Sequence, residues 1–299
     1  MGKLSSLKFI VALVLLTLTF QNCGGVKFQA TETSPQSKAA SPGGQGRNLD
    51  GGGAPGGPIS GLDPVPPTVS GHGPVTVVTP GTQSPAASIY ASICNLSSES
   101  KKDWSTSAVT PNLPNLVFEG HSGSIQVDQV QDIKINGSSG QSFVIESAET
   151  MSSYSGNSGN LLAKVRDFKD ALGNSGSIEL VSQNVGNIKG SSGHICVSAQ
   201  SINAIEGSSS TGVAISPNSV KAGNGKIERI IGSSSSKTVI MNMQLTTALG
   251  NSGELYIQGG HVGMINGQSG NIYLDGVTVD QIVNSSGNIY LLNGAQVLN

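Results

Sequence analysis

The sequence predicts an all-β chain: a single-chain β-helix (β-solenoid) of about ten 17-residue coils, preceded by a disordered tether. Three observations predict this class. A Gly-x-Ser-Gly corner motif recurs at a near-constant period, and apolar residues alternate with period two after the corners. No frame holds the roughly 10–12 residues of helical periodicity that a crossover helix needs. Composition agrees. Of 299 residues, 11% are charged, 4% are aromatic and 36% are hydrophobic, and the formal net charge is −2. So little Lys and Arg leaves no basic field for nucleic acid, which is excluded as a partner. The wealth of Gly, Ser and Pro argues against a large close-packed α/β enzyme core.

Residues 1–22 read as a lipoprotein signal peptide. Lys3 and Lys8 supply positive charge, and Phe9 to Phe20 form twelve residues without any. That is signal-peptide length, and short for a membrane span. The stretch ends at Cys23, where cleavage would leave an acylated first residue and a lipid anchor in a membrane. The alternatives are an ordinary secreted protein with a free Cys23, or cleavage elsewhere. Phe20-Gln21-Asn22 stand where small residues usually precede such a cysteine. The junction Phe-Gln-Asn-Cys-Gly resembles lipoproteins of predatory Gram-negative bacteria. With Gly24 rather than Asp after the cysteine, the resemblance implies the outer membrane.

Residues 23–88 read as the lipidated cysteine and a disordered Gly/Pro/Ser-rich tether holding 10 of the 13 prolines. About 65 residues of such coil reach ~45 Å. Val75-Thr76-Val77-Val78 is its one strand-like patch, suited to docking on the domain beyond. Residues 89–119 form an N-terminal cap segment containing Cys94.

From 120 to 299 the chain is one repeat. The corner motif starts at positions 120, 137, 156, 173, 190, 207, 232, 250, 267 and 284, and six of the nine intervals are 17. Inward pairs such as Ile178/Leu180, Ile195/Val197 and Ile272/Leu274 follow the corners, and pairs such as Val185/Ile188 and Val279/Ile282 follow those. Coils stacked ~4.8 Å apart give a rod of about 45 Å. Gly accepts the positive φ of a sharp corner. The serine in the third motif position is expected to form a hydroxyl ladder along the rod.

The unit Ser286-Gly287-Asn288-Ile289-Tyr290-Leu291, preceded by Gly276-Val277-Thr278-Val279-Asp280-Gln281-Ile282, resembles repeats of the auto-transporter adhesin head (GIN) family. The resemblance covers about 120–299. The Asp of the family pattern is Asn160, Asn271 or Asn288 here, Ser124 or Ser177, His194, or Glu254. The resemblance implies a β-solenoid at a cell envelope. The narrow coil also resembles bactofilins, whose cytoplasmic setting conflicts with this signal peptide.

Candidate chemistry is sparse. His72, His121, His194 and His261 occupy unrelated frame positions, so no metal-ligand spacing exists and no metal or other cofactor is expected. The frame 207–231 is eight residues longer than the repeat and gathers Lys221, Lys226, Glu228 and Arg229, a candidate functional loop. Lys226 and Arg229 are its candidate ligand-binding residues. Arg166, Asp167, Lys169 and Asp170 read as a solvated edge. Tyr256, Tyr273 and Tyr290 recur at the outward seventh position of three successive coils. They are either an aromatic ladder or an exposed strip for a sugar or protein partner. Cys196, at the same position of another coil, pairs with Cys94 in a disulfide, or both remain thiols. The last coil carries no helical or charged cap, so its edge is either shielded by the protein itself or docks a partner or second copy.

The leading expectation is a non-enzymatic envelope module for adhesion or scaffolding, binding a glycan or envelope protein. The alternatives are a carbohydrate-active β-helix enzyme with its site at 207–231, and a self-assembling structural protein.

Overall fold

In a computed structural model, the described residues are 73–79, 81–94, 112–218 and 225–298. The signal peptide, Cys23 and most of the tether lie outside them, as does Lys221. The repeats form a parallel β-solenoid of about ten turns of roughly 17 residues. Each turn lays one rung on each of two faces.

Face one carries β3 (Ile125–Val127), β9 (Val213–Ser216), β13 (Ile272–Asp275) and β15 (Ile289–Leu292). Face two carries β2 (Asn115–Glu119), β4 (Val130–Asn136), β10 (Gly225–Ile231), β14 (Thr278–Val283) and β16 (Gln296–Val297). Six longer strands run through both faces: β5 (Ser142–Ser155), β6 (Asn160–Leu172), β7 (Ile178–Lys189), β8 (Ile195–Glu206), β11 (Lys237–Leu249) and β12 (Glu254–Asn266). Every pairing is parallel, and successive frames align at the same position, as Ile178↔Ile195 and Val185↔Ile202 do. The inward pairs named above are buried between the faces in one continuous core.

The corners explain the motif. The first glycine holds φ near +60°, at Gly173 (+61°) and Gly190 (+62°) for example, and Asn284 takes φ +51° in the last coil. The fourth glycine is needed for a different reason: a Cβ on Gly176 would be driven into the carbonyl of Gly159, one coil below. Where that glycine is replaced, at Ser210 and Ser235, the first inward position falls one residue later than in a regular frame, at Val213 and Thr238, which pair with Ile195 and Leu255. The two serines bond each other there, Oγ to Oγ, at 2.7 Å.

The expected hydroxyl ladder of third-position serines is not the one that forms. Those serines are exposed, and their contribution is a backbone N–H donated to the coil below, such as Ser175 N to Asn157 O (2.9 Å). Side-chain bonds between coils form instead at the buried second position, most fully where it is Asn, while the Ser191 and Ser208 hydroxyls there meet no partner. Asn174 Oδ1 accepts from Asn157 N (3.0 Å) while its Nδ2 donates to Tyr154 O (2.9 Å). Asn157 repeats the pattern on Ser138 N and Ile135 O. The reason is geometric. The second residue points inward where two corner backbone groups lack a partner, and an amide supplies one donor and one acceptor. Asn174→Ala leaves both groups buried and unpaired, and is expected to cost about 2–4 kcal/mol in chemical unfolding; Asn174→Asp would retain the acceptor alone.

Three features before the repeats revise the expected boundaries. Val75–Val77 forms β1, which pairs in parallel with β15 (Val75↔Ile289) and covers the last rung of face one. Of the two outcomes expected for the terminal edge, shielding by the chain itself is the one found there, through the strand-like patch at 75–78, and β1 is three residues long, which blunts the new edge. Ala86–Ile93 forms helix α1, which spans the boundary placed at residue 88. Residues 115–119, expected in the cap, are the first rung of face two, paired with β4.

Candidate functional site

Face one presents one outward column along the rod: Val144, Leu162, Glu179, Cys196, Ala214, Val239, Tyr256, Tyr273 and Tyr290, closed by Thr76 of β1. The candidate residues Cys196, Tyr256, Tyr273 and Tyr290 all stand in it. Helix α1 lies over its middle. Ala86, Ile89, Tyr90 and Ile93 recur at i, i+3, i+4 and i+7, which puts them on one helical face. That face packs on Val239, Met241, Tyr256, Tyr273 and Ala214. Eight residues of helix extend about 12 Å, close to the three rung steps from Cys196 to Tyr256. Gly212 leaves the space that Ile93 fills, and Tyr90 Oη meets Ser216 Oγ at 2.9 Å. Burial pushes the Tyr90 phenol up from its ordinary pKa. A disulfide joins Cys94, just past α1, to Cys196 (Cα–Cα 5.1 Å) and locks the helix to the flank.

The tyrosines stack in register. Ring centroids are 4.5 Å apart for Tyr256–Tyr273 and 4.7 Å for Tyr273–Tyr290, with interplanar angles of 5° and 10°. The strip is less open than an outward position implies. Tyr256 is only 5% exposed because α1 covers it, and its phenol is pushed up by that burial and by the hydrogen bond it donates to Glu254 (2.8 Å). Stacking also hides both ring faces of Tyr273 and one of Tyr290, whose other side is followed by Thr76 of β1. A sugar cannot lie flat on Tyr273, whose two faces are both covered. The ladder reading accounts for this geometry. Tyr273→Ala removes two stacked pairs at about 0.5–1.5 kcal/mol each, and thermal melts should show a loss of that order that Tyr273→Phe does not share.

Lys226 and Arg229 stand on β10 rather than in a loop. Lys226 Nζ pairs with Glu228 Oε1 (2.5 Å), and Arg229 Nε with Glu206 Oε1 (3.1 Å), while Lys189 holds Glu206 Oε2 (2.8 Å). The Glu206 carboxyl is held below its usual range, first by the Lys189 hydrogen bond and then by Arg229. Glu228 is lowered in the same way by Lys226. The two candidate cations are therefore engaged with carboxylates on the surface of face two, and the longer part of the insertion falls at 219–224, outside the described residues. The charge cluster at 166–170 is likewise tied into ladders. Arg166 pairs with Glu149 (3.0 Å), and Asn184 bridges Asp167 and Ser201 at 2.8 Å each.

A different group of residues converges at the other end of face one. A groove of about 230 Å³ is lined by Ser142, Val144, Asn160, Leu161, Leu162, Ser177, Glu179 and His194. Ser177 Oγ meets His194 Nδ1 at 2.8 Å, and His194 Nε2 meets Glu179 Oε1 at 3.2 Å. The signal was in the register. Ser177 and His194 share the fifth frame position 17 residues apart, so parallel stacking brings them together, with Glu179 two residues along the same strand.

The fold and its flank define a class: a parallel β-solenoid with a disulfide-latched helix. No family model, curated protein or solved structure matches the chain. Among the described residues, no helix is long and apolar enough to cross a membrane.

Proposed function

We propose that this chain is an outer-membrane lipoprotein, anchored through acylated Cys23, that presents its solenoid as an adhesion or scaffolding module. The observation that best supports this is the build of the rod. Coils closed by tight corners give flat faces with side chains repeating every ~4.8 Å, a geometry suited to a polysaccharide or a regularly repeating envelope protein. The Cys94–Cys196 disulfide fits an oxidising envelope compartment.

Two measurements test the reading. Metabolic palmitate labelling should mark the chain and be lost in Cys23→Ser; an unlabelled wild-type chain overturns the anchor. The Cys23→Ser protein should bind isolated bacterial envelopes or glycans on an array. Tyr273→Phe/Tyr290→Phe, which keeps the stack and removes its hydroxyl edge, should bind less if that edge is the contact. No binding to either, with a monomer in ultracentrifugation at high concentration, overturns both adhesion and scaffolding.

A further inference from the structure

We propose that Ser177, His194 and Glu179 form a nucleophile–base–carboxylate relay that hydrolyses short-chain carboxylic esters. This goes beyond the binding role above and does not rest on it. The chemistry of the three groups sets their states. An ionised carboxylate only accepts hydrogen bonds, so Glu179 Oε1 requires the His194 proton on Nε2, 3.2 Å away. In the neutral imidazole Nδ1 then carries the lone pair, and it faces the Ser177 hydroxyl at 2.8 Å. This is the arrangement a general base needs before a serine can attack, with a third group fixing its tautomer. The residues are held by the solenoid: Ser177 and Glu179 by β7 and its preceding corner, His194 by the next coil, all at fixed rung spacing.

The groove gives the substrate class. Val144 and Leu162 supply an apolar wall, with Leu162 42% exposed, and Ser142 and Asn160 supply polar groups. A cavity of about 230 Å³ suits an acetyl or butyryl group and leaves the alcohol in solvent. Backbone N–H groups there are engaged: Ser177 N donates to Asn160 Oδ1 (3.0 Å) and Ile178 N to His194 O (2.9 Å). The donor for a developing oxyanion therefore comes from a side chain, Asn160 Nδ2 in the adjoining coil.

In the reaction, Ser177 Oγ bonds the ester carbonyl carbon while its proton passes to His194 Nδ1. The bond from that carbon to the alcohol oxygen breaks, and the leaving oxygen takes the proton from His194. Water then adds to the acyl carbon and gives a proton to Nδ1. The bond to Ser177 Oγ breaks, and the proton returns to Oγ as the carboxylic acid leaves.

The test uses the Cys23→Ser protein with p-nitrophenyl acetate and butyrate, and with a fluorophosphonate probe. We expect the probe on Ser177 by peptide mapping, and a transient acetyl adduct at the same residue under acid quench. Ser177→Ala and His194→Ala should lower the rate at least about 100-fold, and Glu179→Gln at least about 10-fold, with melting temperatures unchanged. Asn160→Ala should slow turnover without preventing probe capture. An unmodified Ser177, or a rate equal in wild type and Ser177→Ala, overturns the proposal.

Discussion

Gly176→Ala should destabilise the rod by about 3 kcal/mol or more, whereas Gly173→Ala, three residues away in the same corner, should cost about 1–2 kcal/mol. Two physical effects separate the glycines. At Gly176 the obstacle is backbone. A Cβ meets the carbonyl of Gly159 and stands 3.1 Å from Asn160 N, and neither can rotate away. Relief requires two coils to part, which breaks the adjoining rung bonds such as Leu161 N to Ser177 O (2.8 Å). At Gly173 there is no atom within 4 Å of the new Cβ, and the cost is only the left-handed backbone at φ +61°. Asn284 already occupies the equivalent position in the last coil. Gly173→Asn should therefore cost less than Gly173→Ala. Urea unfolding of the three variants checks the order; equal losses for Gly173→Ala and Gly176→Ala would mean that coil spacing yields to a methyl group.

The period was the legible part of this fold, because nearly every coil meets the same steric demand in the same frame position. Counting Gly-x-Ser-Gly starts was enough to place the rungs, the inward pairs and the tyrosine register. What escaped was whatever depends on a partner outside the repeat. The stripe Ala86, Ile89, Tyr90, Ile93 carries a helical signal, but it straddles the shift from Pro/Gly-rich to ordinary composition, and eight residues are marginal as a helix without a surface to pack on. That surface, the outward column from Cys196 to Tyr256, exists only after the coils stack. The second-position residues are hard to recognise for a similar reason. Ser138, Asn157, Asn174 and Gln268 look variable, and what they share is a buried place beside unpaired corner backbone. Spacing among the histidines carries no sign of His194's partner, because that partner is a serine, Ser177, in the same fifth column one coil away.

Removing the disulfide should have the larger effect on the flank. The bridge joins residues 102 apart in sequence, and in the chain-entropy account a loop of about 100 residues is worth ~4.7 kcal/mol. Cys94→Ala/Cys196→Ala is expected to lose about 3–5 kcal/mol, read from unfolding midpoints with and without reductant. Alanine is the appropriate replacement, because Cys196 is fully buried against Ala214 and a serine hydroxyl would lack a partner there. In the variant, α1 keeps its apolar contacts with Val239 and Tyr256 but loses the covalent stop at its C-terminal end. Limited proteolysis should then cut first between residues 79 and 112, while the coils stay resistant. Thiol titration of denatured, unreduced Cys23→Ser protein should find no reactive sulfur, since the chain has three cysteines and two are bridged. An unchanged midpoint under reductant would mean that apolar packing alone holds the helix. A lowered midpoint without early cleavage would place the effect in the coils, with α1 and the rod unfolding as one unit.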